Sequence, residues 1–321
     1  MNPAASAPRS RFSPPIPNPD RATPSAVAIP LPFRRPRPDH PYLAGGPLLI
    51  AHRGGSALAP ENTLAAFRRA LAWWRADLLE IDVHATRDGH AVVIHDDAVD
   101  RTTEGRGRVA DLTLAQVQAL DAGHRFTPDA GKTFPFRGRG VAIPTLREVL
   151  AELPHARVNV EVKAADAQDA VWDAVHEAGA TARVLIAAGK LENRARFGAY
   201  AGPTSASREE MRAFYKLHLA RATAFYRAPV DAFQIPERAN GRQVLSPRLI
   251  RDAHRHNVKV HVWTVDEAAD MRRLLEWGAD GIVTDRPDRL ARVLHERVGR
   301  PLPPGPPGGE AEPFLEWLLR D

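Results

Sequence analysis

Short apolar runs alternate with helix-period segments along most of this chain, and that alternation narrows its fold more than any other feature. The runs are PLLIAHRG (47–54), LLEIDVHAT (78–86), AVVIHD (91–96), VNVEVK (158–163), RVLIAA (183–188), DAFQIP (231–236), VKVHVWTV (258–265) and DGIVTD (280–285). Helical patterns include TLAAFRRALAWW (63–74), TLREVLAEL (145–153), SPRLIRDAHRH (246–256) and EAADMRRLLEWG (267–278). The first predicts a helix with Leu64, Phe67, Leu71 and Trp74 on one face, and the last ends at Gly278, a residue suited to a helix C-terminus. Repeated strand–helix alternation predicts an α/β fold with a parallel sheet and helical crossovers. Eight such units close into a barrel and fewer leave an open, doubly wound sheet; periodicity alone does not choose between them.

A chain of 321 residues accommodates one such domain of about 250 residues with tails. The first 46 residues hold twelve of the 29 prolines, which remove backbone donors and fix φ, so residues 1–46 are expected to be a disordered Pro/Arg-rich arm. The folded domain is expected over 47–299, with the irregular stretch at about 96–144 as an insertion between two strand–helix units. Residues 300–321 read as a Pro/Gly linker followed by a short amphipathic segment bearing Phe314, Leu315, Trp317 and Leu318. No apolar run reaches about 18 residues and the apolar piece near Ala26 is broken by Pro30 and Pro32, so neither a membrane-crossing helix nor a signal peptide is expected, and the cytoplasm is the default location. The absence of cysteine excludes disulfides and thiolate zinc sites. Of the net charge of +5, the arm contributes +4, through Arg9, Arg11, Arg21, Arg34, Arg35 and Arg37 against Asp20 and Asp39. The near-neutral remainder lacks the basic face that nucleic acid requires, while the arm offers a weak contact to an anionic membrane surface.

Polar residues mark the C-terminal ends of several predicted strands, the face on which barrel enzymes build their sites. Glu80 and Asp82 lie two apart and share a strand face, as do Glu161 and Lys163. Buried carboxylates at this density need protons, a cation or basic partners. Oxygen-only donors suit magnesium or calcium; the alternative is an internal ion-pair layer with Arg and Lys. HRG places His52 and Arg53 at one strand end, and IHD places His95 at another. Arginine offers a planar fork for phosphate oxygens, and two histidines can serve as base and acid on either side of a phosphodiester. Pro60, Glu61, Asn62 and Thr63 read as a helix entry, with Asn62 or Thr63 as the cap. Trp263, on the face of His261, reads as core or as an apolar pocket wall, Gln234 as a pocket-lining residue and Asp285 as structural or a cap.

Taken together, AHRGGSALAPENT, LLEIDVHATRDG, VVIHD, IPTLREVL, VNVEVK, VHVWTVD and GADGIVTDRPDRL resemble the glycerophosphodiester phosphodiesterases in order and spacing, from about Leu48 to Leu290. The resemblance implies a (β/α)₈ TIM barrel with a small insertion after the IHD motif. It implies Glu80, Asp82 and Glu161 as ligands of a divalent cation, magnesium or calcium, His52 and His95 as the acid–base pair, Arg53 and Lys163 as phosphate contacts, and Trp263 as an apolar wall for the substrate. It implies hydrolysis of glycerophosphodiesters to glycerol 3-phosphate and an alcohol. The late segment FQIPERANGRQVLSPRLI leans towards relatives that cleave lysophospholipids, so lysophospholipase D-type cleavage on the same site is the alternative. A metal-dependent sugar isomerase or aldolase is a more distant reading, since HRG and HD suit phosphate better than a sugar carbonyl. A non-enzymatic binder acting through the arm is the remaining one.

Overall fold

A computed structural model describes residues 40–307. The apolar runs become β1 (Leu48–His52), β2 (Leu78–Ala85), β3 (Ala91–Val93), β4 (Arg157–Val162), β5 (Val184–Ala187), β6 (Ala232–Pro236), β9 (Lys259–Trp263) and β10 (Gly281–Thr284); β7 (Arg238–Ala239) and β8 (Arg242–Gln243) form a small hairpin. The helices are α1 (Leu64–Trp74), α2 (Leu114–Gln118), α3 (Leu146–Glu152), α4 (Gln168–Glu177), α5 (Arg208–Leu219), α6 (Pro247–His254), α7 (Ala268–Glu276) and α8 (Pro287–Val298). Seven parallel strands run in the order β5-β4-β2-β1-β10-β9-β6. The sheet closes through two isolated parallel bridges, Ile186 to Thr204 and Ser205 to Ala232, which make the segment around 204–205 the eighth stave of a (β/α)₈ barrel.

Strand alternation divides the apolar residues between two cores. Leu79, Ile81, Val83, Val158, Val160, Val162, Val260 and Val262 pack outward under the helices. Leu48, Ile50, Leu78, Leu185, Ala232 and Val283 fill the barrel interior with Tyr42. In β2 and β4 the inward register turns polar towards the C-terminal ends, where Glu80 lies beside Asn159 and Asp82 beside Glu161. The barrel is therefore apolar at one end and acidic at the other. On α1 the buried residues are Ala66, Phe67, Arg69, Ala70 and Trp73, with Leu64 and Leu71 partly buried beside them, so the buried stripe is offset from the one expected.

The structure corrects several of the sequence readings. AVVIHD contributes no barrel stave: β3 pairs antiparallel with β2 and opens the insertion. The insertion therefore sits inside the second unit, between its strand and α3, with a small core of its own that includes Val99, Val109, Val117 and Ile143. Residues 41–43, assigned to the arm, form a turn that buries Tyr42 against the barrel interior. Arg157 at the start of β4 donates to the carbonyls of Tyr42 and Ala44 at 2.8 Å each. Arg300, assigned to the linker, pairs with Asp77 at 2.6 Å and donates to the carbonyls of Gly45 and Pro47. Residues 1–39 and the segment bearing Phe314 lie outside the described residues. No helix among the described residues is long and apolar enough to cross a membrane.

Candidate active site

The site begins where β1 ends. Beyond His52, Arg53 (φ 50°) and Gly54 (φ 87°) take left-handed conformations and turn the chain back over α1. A Cβ on Gly54 would stand 2.7 Å from that of Ala66 and 2.8 Å from the Phe67 ring, so only glycine lets the turn lie this close to the helix. The turn carries the Arg53 amide to Glu80, to which it donates at 3.1 Å, and the Arg53 guanidinium to Asp82 at 3.3 Å and Glu61 at 3.0 Å.

Glu80, Asp82 and Glu161 each bring an oxygen to within 4.8 Å of the others. Glu80 is 6% exposed and Asp82 1%. Asn62, itself left-handed (φ 58°), donates to Asp82 at 2.9 Å and accepts from its amide at 3.3 Å. Lys163 reaches Asp82 at 3.2 Å and Glu161 at 3.3 Å. Burial opposes ionisation of Asp82, but Lys163 and Arg53 outweigh it and hold its pKa below the usual range. Glu80 is different. Among the described residues it has no Lys or Arg side-chain partner; its neighbours are the Arg53 amide and the His52 ring at 4.0 Å. Burial, reinforced by the charge of Asp82, raises its pKa. An ion-pair layer thus accounts for Asp82, whereas no Lys or Arg side chain among the described residues comes within ion-pair distance of Glu80. Three oxygen donors with one such carboxylate fit a hard divalent cation.

Two histidines stand at this end of the barrel, each with an aspartate on Nδ1. His52 meets Asp285 at 2.6 Å, and Ser56 donates to the same carboxylate oxygen. Burial works to lower the pKa of His52, but the Asp285 hydrogen bond and the charges of Glu80 and Asp285 prevail and raise it. His95 meets Asp96 at 2.6 Å, and its backbone carbonyl is held by His84 at 3.1 Å. Fixing Nδ1 sets each ring's orientation and directs Nε2 elsewhere.

The structure therefore joins His52, Arg53, Glu80, Asp82, Glu161 and Lys163 in one group linked by hydrogen bonds and ion pairs. His95 connects to it through Asp96, Arg101, Glu61 and Arg53. Trp263 ends β9 with 43% of its surface exposed, outside that group. Gln234 lies lower in the barrel, in register with the fully buried His261. Thr63, and not Asn62, caps α1 by accepting from the Ala66 amide at 3.2 Å. Asp285 and Glu61, read from sequence as structural, instead hold His52 and Arg53. Asp285 lies 233 residues from its histidine, so no local pattern could reveal the pair. Arg101 was invisible to motif and period alike.

Residues 52–289 match the model of the glycerophosphoryl diester phosphodiesterase family. The chain is 34% identical over 264 residues to a glycerophosphodiester phosphodiesterase of Caldanaerobacter subterraneus subsp. tengcongensis, covering 78% of this chain and 98% of that protein. Its fold is similar to the crystal structure of glycerophosphodiester phosphodiesterase from Agrobacterium tumefaciens (TM-score 0.59, 27% identity, 75% of this chain and 98% of that one). A phosphodiesterase from Oleispira antarctica, solved in complex with the product sn-glycerol-3-phosphate, shares the fold (TM-score 0.61, 22% identity, 78% of this chain and 97% of that one). Family model and relatives agree: the chain belongs to the glycerophosphoryl diester phosphodiesterase family and is a phosphoric diester hydrolase of that class.

Proposed function

We propose that this enzyme hydrolyses glycerophosphodiesters to sn-glycerol 3-phosphate and an alcohol, using His52 and His95 as an acid–base pair beside a divalent cation site. The observation that carries the reading is the pairing of two aspartate-held histidines with a carboxylate cluster in which Glu80 has no Lys or Arg partner. The product bound by the Oleispira relative supports the substrate class. Glu80, Asp82 and Glu161 would hold magnesium or calcium, which supplies positive charge to the phosphate oxygens. Arg53 and Lys163 add charge-assisted hydrogen bonds to the same group. His52 takes the proton of the glycerol 2-hydroxyl as that oxygen attacks phosphorus. The bond to the leaving alcohol breaks, and His95 protonates that oxygen. Water then opens the cyclic phosphate, with the proton transfers reversed. Trp263 offers an exposed apolar wall to the alcohol.

The test is to incubate the protein with glycerophosphocholine and with lysophosphatidylcholine, each with magnesium, calcium or EDTA. Glycerol 3-phosphate release that EDTA abolishes is the expected result. His52→Ala and His95→Ala should each lower turnover by about 10²- to 10⁴-fold while remaining folded. Near wild-type turnover in either variant would remove its histidine from the chemistry. Cleavage of the lysolipid alone, giving lysophosphatidic acid and choline, would move the substrate to lipids.

A further inference from the structure

Arg101 lies in the insertion, five residues beyond Asp96, and its side chain is about half exposed. Its Nη1 and Nη2 donate to the two oxygens of Glu61 at 2.7 Å each, a bidentate fork. Its Nε donates to Asp96 at 2.6 Å, and Nη2 reaches the other Asp96 oxygen at 3.3 Å. Both carboxylates have second partners: Glu61 accepts from Arg53 at 3.0 Å, and Asp96 meets His95 at 2.6 Å. A continuous path thus runs from Asp82 through Arg53, Glu61, Arg101 and Asp96 to His95.

Resting on the two-histidine reading above, we infer that Arg101 is a positioning residue that sets the placement of His95 relative to Arg53, so that the insertion takes part in assembling the site. Two loops contribute these groups: Arg53 follows β1, and His95 follows β3 at the start of the insertion. Arg101 spans them because guanidinium is planar and can serve two carboxylates at once; an ammonium carries no such fork. Four of its five N–H donors are committed to Glu61 and Asp96, so it acts mainly through its neighbours. Exposed ion pairs add little stability, so the clamp's effect falls on geometry.

The test uses the full chain with glycerophosphocholine, comparing wild type, Arg101→Ala, Arg101→Lys and His95→Ala. Arg101→Ala should lose about 10²-fold in kcat, the scale of a small misplacement of a reacting group, with KM and melting temperature nearly unchanged. Arg101→Lys should lose a similar factor. Guanidinium ion at low concentration should restore part of the kcat of Arg101→Ala and none of that of Arg101→Lys. Wild-type kcat in Arg101→Ala beside an inactive His95→Ala overturns the inference and leaves the histidine reading standing. A lower kcat that follows a lower melting temperature and ignores guanidinium reduces Arg101 to a structural tie and also overturns it. A fully active His95→Ala removes the reading itself and the inference with it.

Discussion

His52 and His95 are ordinary imidazoles made specific by what holds Nδ1. Asp285 holds the first from the end of β10, so the last barrel strand orients a residue of the first. Asp285→Asn keeps the shape and weakens the hold, and turnover should fall by about 10²-fold or more with little change in melting temperature, read by steady-state kinetics beside thermal denaturation. An unchanged kcat would leave Asp285 no more than a neighbour. His261 plays the opposite part. It is fully buried, neither ring nitrogen has a hydrogen-bond partner among the described residues, and burial lowers its pKa to about 4. The unfolded chain protonates this histidine below about pH 6.5, and the folded protein does not until about pH 4. Stability is therefore lost as pH falls through that window, by roughly 3 kcal/mol from this group. His261→Gln should flatten the acid side of the stability profile in urea titrations, and an unaltered slope would exclude the term. At this scale the sequence reveals residues whose type and strand position coincide, such as Glu80, Asp82, His52 and His95. It conceals partners such as Asp285 and Arg101, whose meaning comes only from distant chain segments meeting.

The staves of the barrel differ greatly in how much sequence announces them. β2 and β4 carry long alternating patterns and are legible at once. The eighth stave is a few residues, too short for any period to register, and hydrogen bonds take the place of length. Ser205 donates to the Ile186 carbonyl, Ile186 to that of Pro203, and Ala206 to that of Ala232, each at 3.0 Å. Asp231 completes the seam by accepting from the buried Thr204 amide at 2.8 Å. Asp231→Ala leaves that amide unsatisfied, which costs about 1–3 kcal/mol. Hydrogen exchange should then quicken first at Ile186 and Ser205; uniform exchange across the barrel would show that the seam is no weaker than the rest. The run AVVIHD illustrates the reverse: its apolar pattern reports burial against β2 and α3 without saying that the strand runs antiparallel. Periodicity measures burial, and burial is common to staves and to the edge of an insertion.

As a whole, the barrel holds Glu80, Asp82, Glu161 and Lys163 at one end and its apolar filling at the other, and this polarity was readable from which strand positions carry Glu, Asp and Lys. The closure of the sheet was not, because periodicity is the same in an open and a closed array. The limits of the domain were also less legible. Proline content marks the lead-in up to residue 46 as unstructured, yet Tyr42 is 1% exposed and its carbonyl is claimed by Arg157. That tyrosine corks the floor of the barrel, and so the lead-in is where trimming must stop. A chain shortened to begin at His40 should melt with the parent, whereas one beginning at Pro47 uncorks the floor and should lose about 3–5 kcal/mol, the scale of a deleted core aromatic. Equal urea midpoints for the two would make the cork ornamental. For anyone fusing, trimming or proteolysing this enzyme, its first indispensable residue comes before the first strand.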